Sequence, residues 1–266
     1  MRSDNKINDR IEEISISNEG YKMKIIKYNS AKDIIIEFQD KYNAKIHTNY
    51  GAFKRGVVKN PYHPSVYGVG CCGQGKYVTR DKNGKITKTY KIWSEMLKRC
   101  YDPYFLNKFP TYIDCYVCEE WLNFQNFAKW FYDNYYEIDG QLMCLDKDIL
   151  FKNNKIYCPN NCIILPQRIN KLFTKADISR GRYPIGVYYR KDVERLYVHC
   201  SIFDKENNKK KQLYLGNFPL DKPFQAFTTY KNFKENYIKQ VADEYKDLIP
   251  QRLYDAMYNY EVEIND

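Results

Sequence analysis

Gln141-Leu-Met-Cys-Leu-Asp-Lys-Asp-Ile-Leu150, Phe151-Lys-Asn-Asn-Lys-Ile-Tyr-Cys-Pro-Asn160 and Asn161-Cys-Ile-Ile-Leu-Pro-Gln-Arg-Ile-Asn-Lys-Leu-Phe173 form the continuous stretch on which the reading of this chain turns. A strand-length apolar run ends in the carboxylates Asp146 and Asp148. A turn-rich loop then holds Asn160 and Asn161, and Pro166 opens a short helix carrying Asn170. That order predicts oxygen ligands gathered at one end of a small unit, a donor set suited to a hard divalent cation.

Toward the C-terminus the period becomes two. Ile185–Arg190, Arg195–Phe203 and Lys209–Phe218 read as three strands, and a long helix follows from about Asp221 through Phe224, Phe227, Tyr230, Phe233 and Ile238. Strand alternation turns Val187, Leu196, Val198, Cys200, Ile202, Leu213 and Leu215 toward that helix. It leaves Tyr188, Arg190, Arg195, Tyr197, His199, Lys210, Gln212 and Tyr214 on an open face. Such a face can read base edges with amides and guanidinium groups while its lysines pair phosphates. The alternative is a merely solvated sheet surface. Beyond this module, 245–263 reads as a terminal helix and an extended tail.

Toward the N-terminus, Ile92, Trp93, Met96, Leu97 and Cys100 fall on one helical face, so Tyr90 to about Tyr101 is a helix. A second helix is expected from near Glu119 through Trp121, Phe124, Phe127 and Phe131, with a short strand over Tyr112–Val117 before it. Further back, 21–28, 33–38 and 44–50 alternate as strands, with a turn at Phe53-Lys-Arg-Gly56. Residues 57–64 are a proline-set link. Gly68, Gly70, Gly73 and Gly75 then read as a flexible loop and a weak phosphate signal, since no strand-to-helix unit follows. The first twenty residues read as a polar lead-in or a frayed helix.

Composition bounds what the modules can do. The chain has 266 residues, 44% hydrophobic and 17% aromatic, enough for packed cores in two or three units. Its formal charge of +10 and its 27 tyrosines favour a polyanionic partner that offers flat surfaces. No run of roughly eighteen apolar residues and no leader-type apolar segment is present, so no membrane partner is expected and a cytoplasmic location is. The nine cysteines are then read as thiols. Cys115-x-x-Cys118 with Cys158-x-x-x-Cys162 suggests a zinc knuckle, but the alternating pattern around Cys115 and Cys118 sends their side chains to opposite faces and disfavours zinc.

Several spaced anchors carry a resemblance. Trp93, Met96, Arg99-Cys100-Tyr101, Val117, Glu120-Trp121, Phe124, Phe127, Leu145-Asp146-Lys147-Asp148, Pro159, Asn161-Cys162 and Pro166 to Asn170 resemble a phage and prophage branch of the HNH, homing-like endonucleases, over about Tyr90 to Lys175. The resemblance implies a two-stranded ribbon and a helix around one divalent ion, Mg²⁺ or similar, held by Asp146, Asn161 and Asn170. It places Asp146, Lys147 and Asp148 at the catalytic positions, with Lys147 where the family has histidine. A lysine serves as the base only if its pKa is strongly lowered. Asp148, Tyr157 or the metal alone are the other routes to an activated water. In the alternative, the scaffold is kept without catalysis, Asp146 caps a turn, and the chain binds DNA or inhibits a host protein.

Gly186-Val187, Leu215-Gly216-Asn217-Phe218 and Ala226-x-x-x-Tyr230 likewise resemble the DNA-binding domain of the plant ethylene-response factors, over roughly Tyr183 to Ala242. That similarity implies double-stranded DNA as partner, and the phage resemblance implies a bacterial host cell as the place of action. It implicates Tyr188, Arg190, Gln212 and Tyr214 in reading the duplex, although tyrosine and glutamine replace most of the family's arginine and tryptophan contacts.

The expected architecture is α+β. A lead-in (1–20) and a small N-terminal β module (21–75) precede an HNH-like ββα-metal core with flanking helices (90–175). A C-terminal three-stranded antiparallel sheet packed on a helix (183–266) completes it.

Overall fold

Alternation of apolar and polar residues builds the first sheet. In the computed structural model, which describes residues 10–174, 182–204, 209–264 and 266, β1 (Ile14–Ile16), β2 (Lys22–Ser30), β3 (Asp33–Phe38) and β4 (Lys45–Thr48) pair antiparallel in chain order. Met23, Ile25, Ile34, Ile36 and Phe38 point to one face and are fully buried there with Phe53. Each such side chain contributes about 1.5–3 kcal/mol of burial. Two expectations change. The later part of the lead-in is a strand, because Ile14–Ile16 finds backbone partners on β2; residues 1–9 lie outside the described residues. Before the expected turn comes a helix, α1 (Tyr50–Lys54), started by the Asn49 side chain accepting from Ala52 N at 2.8 Å.

Next come α2 (Lys88–Tyr101), capped by Thr87, and α3 (Pro103–Lys108), capped by Asp102. The two-residue strand β5 (Tyr116–Val117) is shorter than the expected Tyr112–Val117. Glu119–Leu122 is a separate 3-10 turn, and α4 (Phe124–Asn134) begins only after the Asn123 cap. Trp93, Met96, Leu97, Trp121, Phe124, Phe127 and Phe131 form the interior of this part. Trp93 Nε1 donates to the Trp121 carbonyl at 2.7 Å.

The glycine loop is clamped rather than loose. A Cβ on Gly70 would lie 2.4 Å from Leu97 Cδ1, and one on Gly73, at φ +65, would lie 2.3 Å from the Asn123 amide. Cys71 between them exchanges backbone bonds with Leu122 and Phe124.

The chain continues through β6 (Met143–Asp146), β7 (Ile156–Tyr157) and β8 (Ile163–Pro166). β7 pairs in parallel with β5, whereas β6 and β8 pair antiparallel as a ribbon. α5 (Gln167–Asn170) follows, and then β9 (Val187–Arg190), β10 (Arg195–Asp204) and β11 (Lys209–Phe218) make an antiparallel sheet with β10 central. α6 (Pro223–Tyr245) and α7 (Gln251–Tyr258) close the chain.

Two compact units result: residues 1–135 with 155–160, and residues 136–154 with 161–266. In the second, the first half of α6 buries Ala226, Phe227 and Tyr230 against Val187, Leu196, Val198 and Cys200 of the sheet. Its second half buries Ile238, Val241 and Ala242 against Ile163, Leu165 and Ile169 of the ribbon and α5. One helix thus serves both, so the ribbon of the expected 90–175 core shares its interior with the 183–266 module. Among the described residues, no helix is long and apolar enough to cross a membrane.

Candidate functional site

Period-two alternation on β9, β10 and β11 sets the open face of the sheet, and register decides who meets whom. Tyr197 lies opposite Tyr188 and Asn217, His199 opposite Tyr214, Ser201 opposite Gln212, and Arg195 opposite Arg190. A register shift at Val198/His199, next to Gly216 at φ +137, leaves Leu215 as the extra residue and keeps Tyr214 beside His199. The rings form one patch. Tyr188–His199 centroids are 5.9 Å apart, Tyr197–Tyr214 5.6 Å and His199–Tyr214 5.5 Å. The Arg190 guanidinium lies 5.0 Å over Tyr197 and is also paired with Asp192. Arg195 donates to Asn217, Asn217 donates to the Tyr214 hydroxyl at 2.6 Å, and Gln212 donates to Ser201 Oγ at 2.7 Å. Of the eight residues predicted for this face, Tyr188, Arg190, Arg195, Tyr197, His199, Gln212 and Tyr214 come together. Lys210 stands further along β11, opposite Phe203.

At the end of β6 the chain makes a tight turn stabilised by Asp146, whose Oδ1 accepts from Asp148 N at 2.9 Å and Ile149 N at 2.8 Å. Burial pushes the Asp146 carboxyl above the usual carboxylate range, against those two bonds. Lys147 is buried, and its ammonium reaches both Asp148 oxygens, at 2.7 and 2.8 Å, and the Asn154 carbonyl at 2.6 Å. Asn154 returns a bond to Lys147 O at 2.8 Å and accepts one from Asn161 Nδ2 at 2.9 Å. The predicted residues 146, 147, 148 and 161 therefore belong to one loop network. Asn170 stands at the end of α5, and among the described residues no hydrogen bond joins its side chain to Asp146 or Asn161.

The donor chemistry is compatible with a hard cation. Asp146 keeps its second oxygen, Asn161 its side-chain oxygen and Asn170 its whole amide outside any hydrogen bond among the described residues. The candidate base is less favourably placed, because Lys147 already donates three bonds and the amine has no lone pair to offer while it does so. Among the described residues, no group of three or more His, Cys, Asp or Glu side chains is placed to hold a metal ion. Cys115 is buried, while Cys118 N bonds the Tyr157 carbonyl beside Cys158, and burial raises the Cys118 thiol pKa.

One residue escaped the reading of the sequence. Lys234 of α6 is buried, although it stands on the stripe Tyr230, Lys234, Ile238 whose other members are core. A lysine at the i+4 position of an apolar stripe is the signal that would have found it. Comparison with family models, with curated proteins and with solved structures found no match to this chain.

Proposed function

We propose that the chain is a phage-type protein that binds double-stranded DNA through the open face of β9, β10 and β11. The observation that carries this reading is the contiguous patch of Tyr188, Tyr197, His199 and Tyr214 with Arg190 and Arg195 along its edge. A twisted antiparallel sheet of this width fits a major groove. There, hydroxyl, amide and guanidinium groups meet base edges, and the chain's +10 charge favours the phosphates. Fluorescence anisotropy against duplex DNA at several salt concentrations tests it. Arg190→Ala with Tyr214→Ala is expected to weaken binding at least about tenfold and to reduce the salt slope by about one. Unchanged affinity would overturn the assignment.

A second reading, an HNH-like endonuclease, is favoured by the ribbon-then-helix order of β6, β8 and α5 and by the unused oxygens of Asp146, Asn161 and Asn170. Those residues would hold a Mg²⁺-like ion, which would supply charge neutralisation at a phosphodiester. The protein's own part is to fix the loop through Asp146 and Lys147. Nicking of supercoiled DNA that requires Mg²⁺ and is lost in Asp146→Asn, with anisotropy unchanged, would establish it. Binding without nicking would leave the DNA-binding scaffold.

A further inference from the structure

Within the second unit a cavity of about 980 Å³ opens where β9 ends. β9 pairs with β10 only as far as Val187↔Val198, so 199–204 of β10 has no neighbour from β9. Lys234 reaches this cavity from α6 and is only 9% exposed. Among the described residues its ammonium has neither an ion pair nor a hydrogen bond, and its charged or titratable neighbours are the Cys200 thiol and another cation, Lys210. The carboxylate that lines the cavity among the described residues, Asp266, is engaged elsewhere, pairing with Lys152 at 2.8 Å. Burial pushes the Lys234 pKa down, with Cys200 opposing the shift and Lys210 adding to it.

An apolar side chain on this stripe would cost the fold nothing, whereas a solitary buried ammonium is a standing penalty. Among the described residues four further cations line the same space, Arg168, Lys171, Lys209 and Lys210, against the single carboxylate Asp266. Flat faces are present too, from Tyr188, His199 and Tyr230. We propose that this cavity is a binding site for a phosphate-bearing ligand, with the Lys234 ammonium as its innermost contact. The cations at the mouth draw the anion in, the cavity volume admits a mononucleotide, and the aromatic walls offer a ring a surface to lie on. The inference rests on Lys234 and not on the DNA reading, although Tyr188, His199 and Gln212 border both surfaces.

Titration calorimetry of the full chain with inorganic phosphate, with a nucleoside 5′-monophosphate and with a short unphosphorylated duplex tests it, each at matched ionic strength. The same titrations on Lys234→Met supply the comparison, and thermal unfolding confirms that the variant is folded. The expected result is saturable binding of at least one probe that falls by about tenfold or more in the variant. If phosphate or the mononucleotide is the probe affected, the ligand is a free phosphate compound. If only the duplex is affected, the phosphate belongs to a nucleic-acid backbone. Equal affinities of the two proteins for all three probes, or no binding of any, would overturn the proposal.

Discussion

The ribbon loop and the cavity beside the C-terminal sheet each bury one lysine, 6% exposed at Lys147 and 9% at Lys234. Their surroundings are opposite. Lys147 satisfies all three of its donor positions within the loop, on Asp148 and the Asn154 carbonyl, and so closes the turn between β6 and β7. Lys234 has a thiol and another lysine for company. Burial alone therefore says little about what a charged side chain does. A satisfied buried charge is part of the scaffold, and an unsatisfied one is a demand for something from outside.

The largest effect that would sharpen this contrast is at the ribbon. Lys147→Met should cost about 2–3 kcal/mol in urea denaturation, since it strips the Asn154 carbonyl and Asp148 of their partner. A neutral result would mean the loop holds without that network. Lys234→Met should have the opposite sign, a gain of about 1–2 kcal/mol without added anion. Loss of stability on that change would show Lys234 to be satisfied after all.

The gain at Lys234 should also depend on pH. The folded-state pKa lies below the ordinary 10.5, so the penalty is complete below the folded value and disappears as pH rises past 10.5. The wild-type and variant stability curves are accordingly expected to converge at alkaline pH, and parallel curves would break the argument.

Smaller effects belong to Asp146. Asp146→Ala removes an acceptor from two turn amides and should cost about 1 kcal/mol, whereas Asp146→Asn keeps an oxygen there. Because burial raises the Asp146 pKa above 3.8, its penalty is absent below that value and complete above the folded one. Asp146→Asn should therefore compare more favourably with wild type at pH 7 than at pH 3, as chemical denaturation at the two pH values would reveal.

What could be read in the sequence depended on how local its cause was. The β10 pattern alternates, and its Leu196, Val198 and Cys200 pack toward the helix as expected, whereas the bulge at Leu215 breaks the alternation of β11. The helix over Lys88–Tyr101 followed from its apolar stripe in the same way. Ile14–Ile16 was missed because a three-residue edge strand exists only through its partner β2. The caps Asn49 and Asn123 were not read, because a turn was expected at Phe53–Gly56 and the aromatic stripe was carried back to Glu119. The parallel pairing of Tyr116–Val117 with Ile156–Tyr157 joins segments far apart in the chain, and no local period announces it. Gly70 and Gly73 looked like freedom but are close approaches, which only the neighbouring side chains reveal. At the candidate site, residue types pointed to oxygen ligands for a divalent cation, whereas the hydrogen bonds that tie Asp146, Lys147, Asp148 and Asn161 into one loop network depend on a fold that residue types do not specify.

The interleaving of the two units has a practical consequence for anyone who cuts the gene. Residues 155–160 belong to the first unit although they lie inside the span of the second, and 136–154 belong to the second although they precede them. A fragment ending at 135 would leave β5 without β7, and one beginning at 136 would carry a strand with no sheet to join. No single cut in this chain yields two intact pieces, so the open face of β9, β10 and β11, proposed to bind DNA, is best dissected by substitution in the whole protein. A protease site opened between Tyr136 and Asn160 would damage both units with one cleavage.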